Sequence, residues 1–561
     1  MEPVRIVASL VMGMMVLAAI AGTVSGAEEE DTCAVLFDFG NGQVMWADVP
    51  VTDGMNAFNA TLMAAEVTNL EIVAPGGFVS SIGGFDSAWP KETWNLWVWN
   101  QTIQEWESAM VGAADIALEK GDAVSWSYAA YRDTTLFIPP YAPLASPEHR
   151  YPWTSFRYDT MNAGMQGFAN IEHLALNWSK DLGNGGISSS VVGANGLIYL
   201  ITGGLSTWTG SAMSYEANPT LFCLDMTGDI KWSKDIGAGY QIATPLLYGD
   251  MIFAPSADGK LYAFDAIDGE EKWAAFDTGS GSGTGITSSP VAYLNSIIVV
   301  AGNGKMFSIN AANGVENWNI TVSTAIYSSS PAITDNVIYV GDDSGNVSAY
   351  GASDGAYKWS TPVGGKVRAS PLVDIDNNRI VVTSGYSNGN ITALYLNNGT
   401  IEWQTEIDVT SASVSMSSEG YVAATANEIV MVDFAGDELW NYSLGETFGG
   451  AAPTVVGDTI FAVTNEESSR LVAVNMTGDL VKETVLAPSE YALCSPTFID
   501  GFLFVTSNNG HIYAFSTGSE EIIGPGPEAA PEEFPWLLVG GIVAVILIAA
   551  VGLVFWRSKK A

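Results

Sequence analysis

The chain has 561 residues, enough for more than one domain with its own core. Hydrophobic residues make up 48%, so most of it folds, while 21 Lys and Arg face 61 Asp and Glu for a formal charge of −40. So acidic a surface repels phosphate backbones and excludes nucleic acid as a partner; it keeps the protein soluble and attracts cations.

Residues 1–27 predict a secretory signal peptide. Arg5 is the single basic residue, an apolar run extends from Ile6 to about Ile20, and Ser25-Gly26-Ala27 supplies the small residues of a cleavage site. Nine N-x-S/T sequons follow, at Asn59, Asn100, Asn177, Asn319, Asn346, Asn390, Asn398, Asn441 and Asn475. They permit glycosylation in an exported chain.

Residues 32–131 predict a small α+β domain. "CAVLFDFG" and "QVMWADVPV" read as strands. "DGMNAFNATLMAAE" reads as a helix capped by Asp53 or Thr52, with Met55, Phe58, Leu62 and Ala65 on one face. "WNLWVW" and "GDAVSWSYA" supply further strands. Trp94, Trp97, Trp99, Trp106 and Trp126 are of a type that stacks on ligands, but large aromatics are more often core, and core is the reading for most of them. Residues 132–151 form a linker.

Residues 152–518 carry an internal repeat. "LNWSKDLG" holds Trp178 and "GDIKWSKDIG" Trp232; Trp273, Trp318, Trp359, Trp403 and Trp440 follow in the same context. An eighth copy, "MTGDLVKETV", puts Val481 at the aromatic position, and the intervals run from 37 to 54 residues. A period of about 40–45 residues signals a propeller or array. Short alternating runs broken by Asp-Gly, Asn-Gly or Ser-Gly give four strands per unit. Each tryptophan then fills a seam between blades. Burying ~200 Å² of it contributes roughly 5 kcal/mol as an upper bound, so these seven residues are structural. The last unit supplies three strands and the unit around Trp178 a lone one, so the two ends share a blade. That predicts eight blades, with seven as the alternative.

Chemistry is sparse. The cysteines Cys33, Cys223 and Cys494 form no CxxC pair, and Cys223 and Cys494 read as small buried thiols rather than a bridge. His149, His173 and His511 form no zinc motif, and no GxSxG is present. "TGSGSGTG" (278–285) lacks a following helix and reads as a loop; "DIDNN" (374–378) lacks the later calcium ligands and reads as a turn. The long first interval holds an insertion in which Trp208, Tyr215 and Glu216 are candidate partner contacts. Tyr240, Tyr327, Arg368 and Tyr491 precede first strands and are candidates to ring the channel mouth.

Residues 519–534, rich in Pro, Gly and Glu, read as a stalk. Residues 535–556 predict a transmembrane helix, uncharged from Trp536 to Trp556, and 557–561 a basic cytoplasmic tail.

"LYAFDAIDGEEKW" resembles the PQQ-type, tryptophan-docking propeller repeat, and "PWTSFRYDTMNAGMQ" (152–166) resembles the lead-in of such proteins. The family's dehydrogenases have a vicinal cysteine pair, a calcium ion and long insertions. This chain has no Cys-Cys, so the resemblance points to the non-catalytic branch that includes the BamB-type assembly scaffold. "VTDGMNAFNATLMAA", "WNLWVWN" and Leu118–Tyr128 resemble the transcobalamin C-terminal-like, β-grasp family, which implies a small ligand, a corrinoid among its relatives.

The expected fold class is mainly β: an eight-bladed propeller (alternative seven) after a small β-grasp-like domain, with one C-terminal transmembrane helix. The expected function is a non-catalytic binding or scaffold protein at the cell surface. It is anchored in the cell membrane by that helix, with the large N-terminal region extracellular and protein or glycan partners. One alternative is a small-ligand, corrinoid-type receptor using the N-terminal domain; the other is a quinone-dependent oxidoreductase. No metal is expected, and PQQ and calcium are disfavoured as cofactors.

Overall fold

The computed structural model describes residues 31–518, apart from 88–91, 131–142, 168–170, 172, 184, 209–212, 238, 240, 282–284, 323–328 and 386–388. The predicted signal peptide (1–27) and the segment 519–561 lie outside the described residues.

Residues 32–130 build a small three-stranded sheet, Ile72–Val73, Ser81–Ile82 and Phe85–Asp86, and a five-stranded one. Its strand order is Val44–Pro50, Thr32–Asp38, Ala123–Ala130, Glu92–Asn100, Glu105–Ser108, with the first and last strands in sequence lying parallel at its centre. The helix Ala57–Val67 packs on this sheet. Two details differ from the sequence expectation. The cap is Asn56, whose side chain accepts from the Asn59 amide (2.9 Å), not Asp53 or Thr52. The buried face is Ala57, Ala60, Thr61, Ala64 and Ala65, while Leu62 is exposed. Space explains the choice. Trp126 from the central strand donates through Nε1 to Thr61 Oγ1 (2.8 Å), and a face of small residues leaves room for that indole.

The rest is a ring of eight four-stranded antiparallel sheets among the described residues. Seven are sequential hairpins, beginning with Val192–Ala194, Leu197–Ile201, Thr220–Asp225 and Ile230–Asp235. The seventh gains a short fifth strand, Met165–Gln166. The eighth joins Thr497–Ile499, Phe502–Thr506 and His511–Ser516 to Ala175–Asp181, so the two ends of the ring share one blade. Successive innermost strands pack side by side around a central channel. The three inner strands are almost wholly buried because both faces lie against neighbouring blades. The outer strands alternate, as in Ile230–Asp235, because one face meets water.

The tryptophans lock the seams. Trp178 Nε1 donates to the Met226 carbonyl of the next blade (2.9 Å), Trp273 to Ala311 (2.9 Å), Trp359 to Leu396 (3.2 Å) and Trp440 to Met476 (2.7 Å). Each indole lies flat on the glycine of the next blade's last turn. At Gly399, φ is +68° and an added Cβ would sit 2.3 Å from Trp359 Cε3. The same contact recurs under all seven tryptophans. The recurring "DG…W" is thus two halves of one contact, glycine from one blade and tryptophan from its neighbour. Trp403 departs in detail: Arg379 Nη1 takes the Phe434 carbonyl, and the buried Trp403 Nε1 has no partner.

The eighth copy is corrected. Opposite each tryptophan the outer strand bulges by one residue; Ala349 pairs with Trp359 and Tyr350 with Tyr357. In the seventh blade Ala473 pairs with Lys482 and Val474 with Leu480. Lys482 therefore occupies the aromatic position, and Val481 is the bulged residue. No tryptophan is needed there. The blade beyond takes its outer strand from the far end of the ring, so it has no final turn to cover.

The expected fold class and localisation are also corrected. Among the described residues no helix is long and apolar enough to cross a membrane, and the one α-helix has 11 residues. The predicted span, 535–556, lies outside the described residues.

Candidate functional site

The lead-in 151–166 closes one end of the channel, the end where the first and second strands of each blade turn. Its carbonyls accept from innermost-strand amides of five blades. Thr154 accepts from Leu247 (2.8 Å), Thr160 from Ile333 (2.6 Å), Met161 from Val373 (2.9 Å), Ala163 from Met416 (2.9 Å) and Gly164 from Val455 (3.0 Å). Trp153 and Gly193 exchange both backbone bonds at 2.8 Å. The side chains reach inward. Arg157, 1% exposed, donates to the carbonyls of Pro453 and Val414 (2.7 Å each) and to Ser415 Oγ. Asn162 Nδ2 donates to Pro331 (3.3 Å) and Pro371 (3.0 Å). Sequence reading recognised this segment as a lead-in but missed its role, because each partner lies in a different repeat.

The N-terminal domain sits on the same end. Gln43 Nε2 donates to Asp159 Oδ2 (2.6 Å), the Thr160 amide to the Asn41 carbonyl (3.0 Å), and Trp106 Nε1 to the Ala145 carbonyl (2.7 Å). Arg150 forms a bidentate pair with Asp48 (2.7 and 3.0 Å) while stacking over Trp46.

Two carboxylates are buried in this junction. Asp159 accepts from the amides of Met161 and Ala163 (3.0 Å each), and Asp38 from those of Gly40 (2.9 Å) and Leu144 (3.2 Å). Burial nevertheless wins, and pushes both carboxyls up to about 6. Burial likewise pulls the Arg157 guanidinium down to about 9, partly offset by Asp159. A carboxyl with a raised folded-state pKa favours folding most when protonated. Its contribution is fully present below the ordinary range near 4 and is lost as pH rises through about 6. Asp159→Asn keeps the backbone bonds through its amide oxygen, and Gln43 can turn its own amide to match. The variant is expected to gain about 1–3 kcal/mol on the wild type between pH 4.5 and 7.5 in urea unfolding. Parallel pH profiles for the two proteins would contradict the burial argument.

Between the two parts lies a cavity of about 560 Å³. Asp38, Phe39, Phe85 and Tyr128 line it from the N-terminal sheet and its loops, and Met161, Tyr248, Tyr293 and Ile333 from the propeller side. Phe39 and Phe85 pack at 5.1 Å between ring centres, and Phe85 meets Tyr128 edge-on at 5.6 Å. Of the five tryptophans singled out in the sequence, Trp94 and Trp126 are core, and Trp99 packs edge-on against Trp106. None of the five lines the cavity. Tyr128 ends the Leu118–Tyr128 motif of the resemblance, whereas Phe39 and Phe85 were not singled out in the sequence.

The other described candidates lie by topology at the opposite end. Arg368 pairs with Asp343 (2.8 Å), which lies in the turn joining the second and third strands of its blade. The Tyr491 carbonyl accepts from Asn508 (3.0 Å) in the equivalent turn of the last blade, and its side chain is exposed. Trp208 ends the strand Leu205–Trp208, which pairs with Met213–Ala217, the strand carrying Tyr215 and Glu216, as a hairpin inserted at that same type of turn. Tyr240 and Tyr327 lie outside the described residues. Cys33, Cys223 and Cys494 are all buried and free. No group of three metal-ligating side chains stands together among the described residues.

The geometry defines a class: a β-propeller of tryptophan-docked repeats, closed at one end by its own lead-in and an accessory domain. The repeat family described as "Outer membrane protein assembly factor BamB" matches residues 175–330 and 326–523, more than half of the chain, and the chain belongs to that family. A Yersinia pestis relative of the same name is 26% identical over 305 residues, covering 52% of this chain and 59% of the relative. One from Salmonella typhimurium is 24% identical over 341 residues, covering 50% and 76%. This chain thus spans about three-fifths of the Yersinia relative's length. The relatives carry the name of an outer-membrane assembly factor, which also stands against the expected single-pass cell-membrane localisation. Among solved structures, a europium-containing methanol dehydrogenase aligns with a TM-score of 0.52 at 11% identity, over 65% of this chain and 98% of that one. The quinohemoprotein alcohol dehydrogenase of Comamonas testosteroni gives 0.51 at 13%, over 66% and 81%. At such identities the likeness is one of fold.

Proposed function

We propose that this protein is a non-catalytic scaffold that presents the open end of its propeller to a protein partner. One observation carries the reading. The lead-in 151–166 and the N-terminal domain occupy one end of the channel, with Arg157 and Asn162 filling its mouth. The opposite rim, with the strands Leu205–Trp208 and Met213–Ala217, Arg368 and Tyr491, bears neither of these segments among the described residues. A ring tied by its seam tryptophans and by its lead-in loses little conformational freedom on binding, which suits a platform. Relatives named for protein assembly support the choice of a protein partner.

The test is site-specific photocrosslinking in the native host. Probes at Arg368 and Tyr491 are expected to give one discrete protein adduct, and a probe at Lys358, on an outer strand, none. Equal labelling from all three positions, or a quinone or corrinoid absorbance in the purified protein, would overturn the reading.

A further inference from the structure

The junction cavity lies at the end of the ring away from that rim. Asp38 is 3% exposed, and two backbone amides hold its carboxylate at the cavity wall. Asp86 and Asp335 add negative charge at the lining, and among the described residues no lysine, arginine or histidine lines it. Apart from the neutral polar Asn41, Ser127, Thr160, Thr334 and Asn336, the remaining walls are aromatic, aliphatic or glycine. A buried carboxylate without a cationic side chain is costly, and natural proteins keep such groups where a cation completes them. A metal ion fits poorly, because no third metal-ligating side chain joins two others here among the described residues. An organic cation fits better. Aromatic faces attract such ions through their quadrupoles, and the volume lies within the range of small-molecule sites.

We infer that the cavity between the N-terminal sheet and the propeller is a binding site for a small organic cation. The ligand class is an amine bearing an apolar or aromatic group. Asp38 receives the charged nitrogen, and Phe39, Phe85, Tyr128 and Tyr248 enclose the apolar part. Tyr248 is held for this by its own hydroxyl, which donates to the Leu294 carbonyl (2.8 Å), so the ring cannot swing into the cavity. Tyr128 is held likewise through the Asp86 carbonyl (2.9 Å). The site needs both parts of the chain, since Asp38 and Phe85 come from one and Tyr248 from the other. The overall charge of −40 raises the local concentration of any cation.

The experiment uses the whole protein and three probes of similar shape: 2-phenylethylammonium, 2-phenylethanol and 3-phenylpropionate. Saturation-transfer NMR titrations give each affinity at pH 7.5. The cation is expected to bind at least tenfold more tightly than the alcohol, and the carboxylate more weakly than either. Asp38→Asn is expected to bring the cation's affinity to that of the alcohol. The comparison of probes on the wild type does not depend on a variant that folds. Phe85→Leu, which keeps the wall apolar, is expected to weaken the cation at least threefold. Equal binding of cation and alcohol by the wild type, or no saturable binding of the cation, would overturn the inference.

Discussion

Arg157→Ala is expected to lower the unfolding free energy by about 3–5 kcal/mol, measured by urea denaturation of the whole protein. The guanidinium is buried and bonds only neutral acceptors, the carbonyls of Pro453 and Val414 and the Ser415 hydroxyl. Those acceptors belong to two neighbouring blades, so one side chain ties both to the lead-in. Truncation takes the donor from the Val414 carbonyl, at about 1–3 kcal/mol for a buried group left without a partner, while the Pro453 carbonyl keeps the Ser415 hydroxyl. It also leaves a void. The backbone at Gly164 closes so tightly on the guanidinium that a Cβ there would stand 2.0 Å from Nη2. Arg157→Lys is expected to recover only part of the loss, because one ammonium cannot span the fork that two nitrogens reach. A loss below about 1 kcal/mol for Arg157→Ala would show that the lead-in merely rests on the blades.

Trp359→Ala is expected to cost about 3–5 kcal/mol, and Gly399→Ala about 2–4. The two residues form one contact, which makes the pair informative. In the native seam Gly399→Ala suffers twice: φ at +68° disfavours a side chain, and the new Cβ drives into the indole. With Trp359 already removed, the second penalty vanishes and only the backbone cost of about 1–2 kcal/mol remains. A double-mutant cycle should therefore return a coupling of at least about 1 kcal/mol. Lys482→Ala, at the corresponding position of the seventh blade, is expected to stay within about 0.5 kcal/mol because Lys482 is exposed. Additive costs for Trp359 and Gly399 would mean that the indole is not what forces glycine into the turn.

The repeat was legible because both halves of the seam contact recur at fixed spacing in each unit. The limit of that reading is visible at the eighth copy. Counting intervals between tryptophans assigned Val481, whereas the strand register, with its bulge, assigns Lys482. The helix Ala57–Val67 teaches the same lesson. Its apolar periodicity favours Leu62 facing inward, and the bulk of Trp126 against the helix selects the alanine face instead. The place of Arg368 and Tyr491 just before first strands was legible, since it follows from strand order alone.

The sequence by itself determined the strand periodicity, the blade repeat, the sharing of one blade between the two ends of the ring, and the acidic character of the surface. All of these are written in local spacing or in composition. Only the tertiary structure decided that 151–166 closes the channel, that Arg157 lies buried between two blades, and that Asp38 and Tyr248 face one cavity. Those contacts join segments 100 to 300 residues apart. Their chemistry exists only when the ring has closed and the N-terminal domain has docked, so no local pattern announces them.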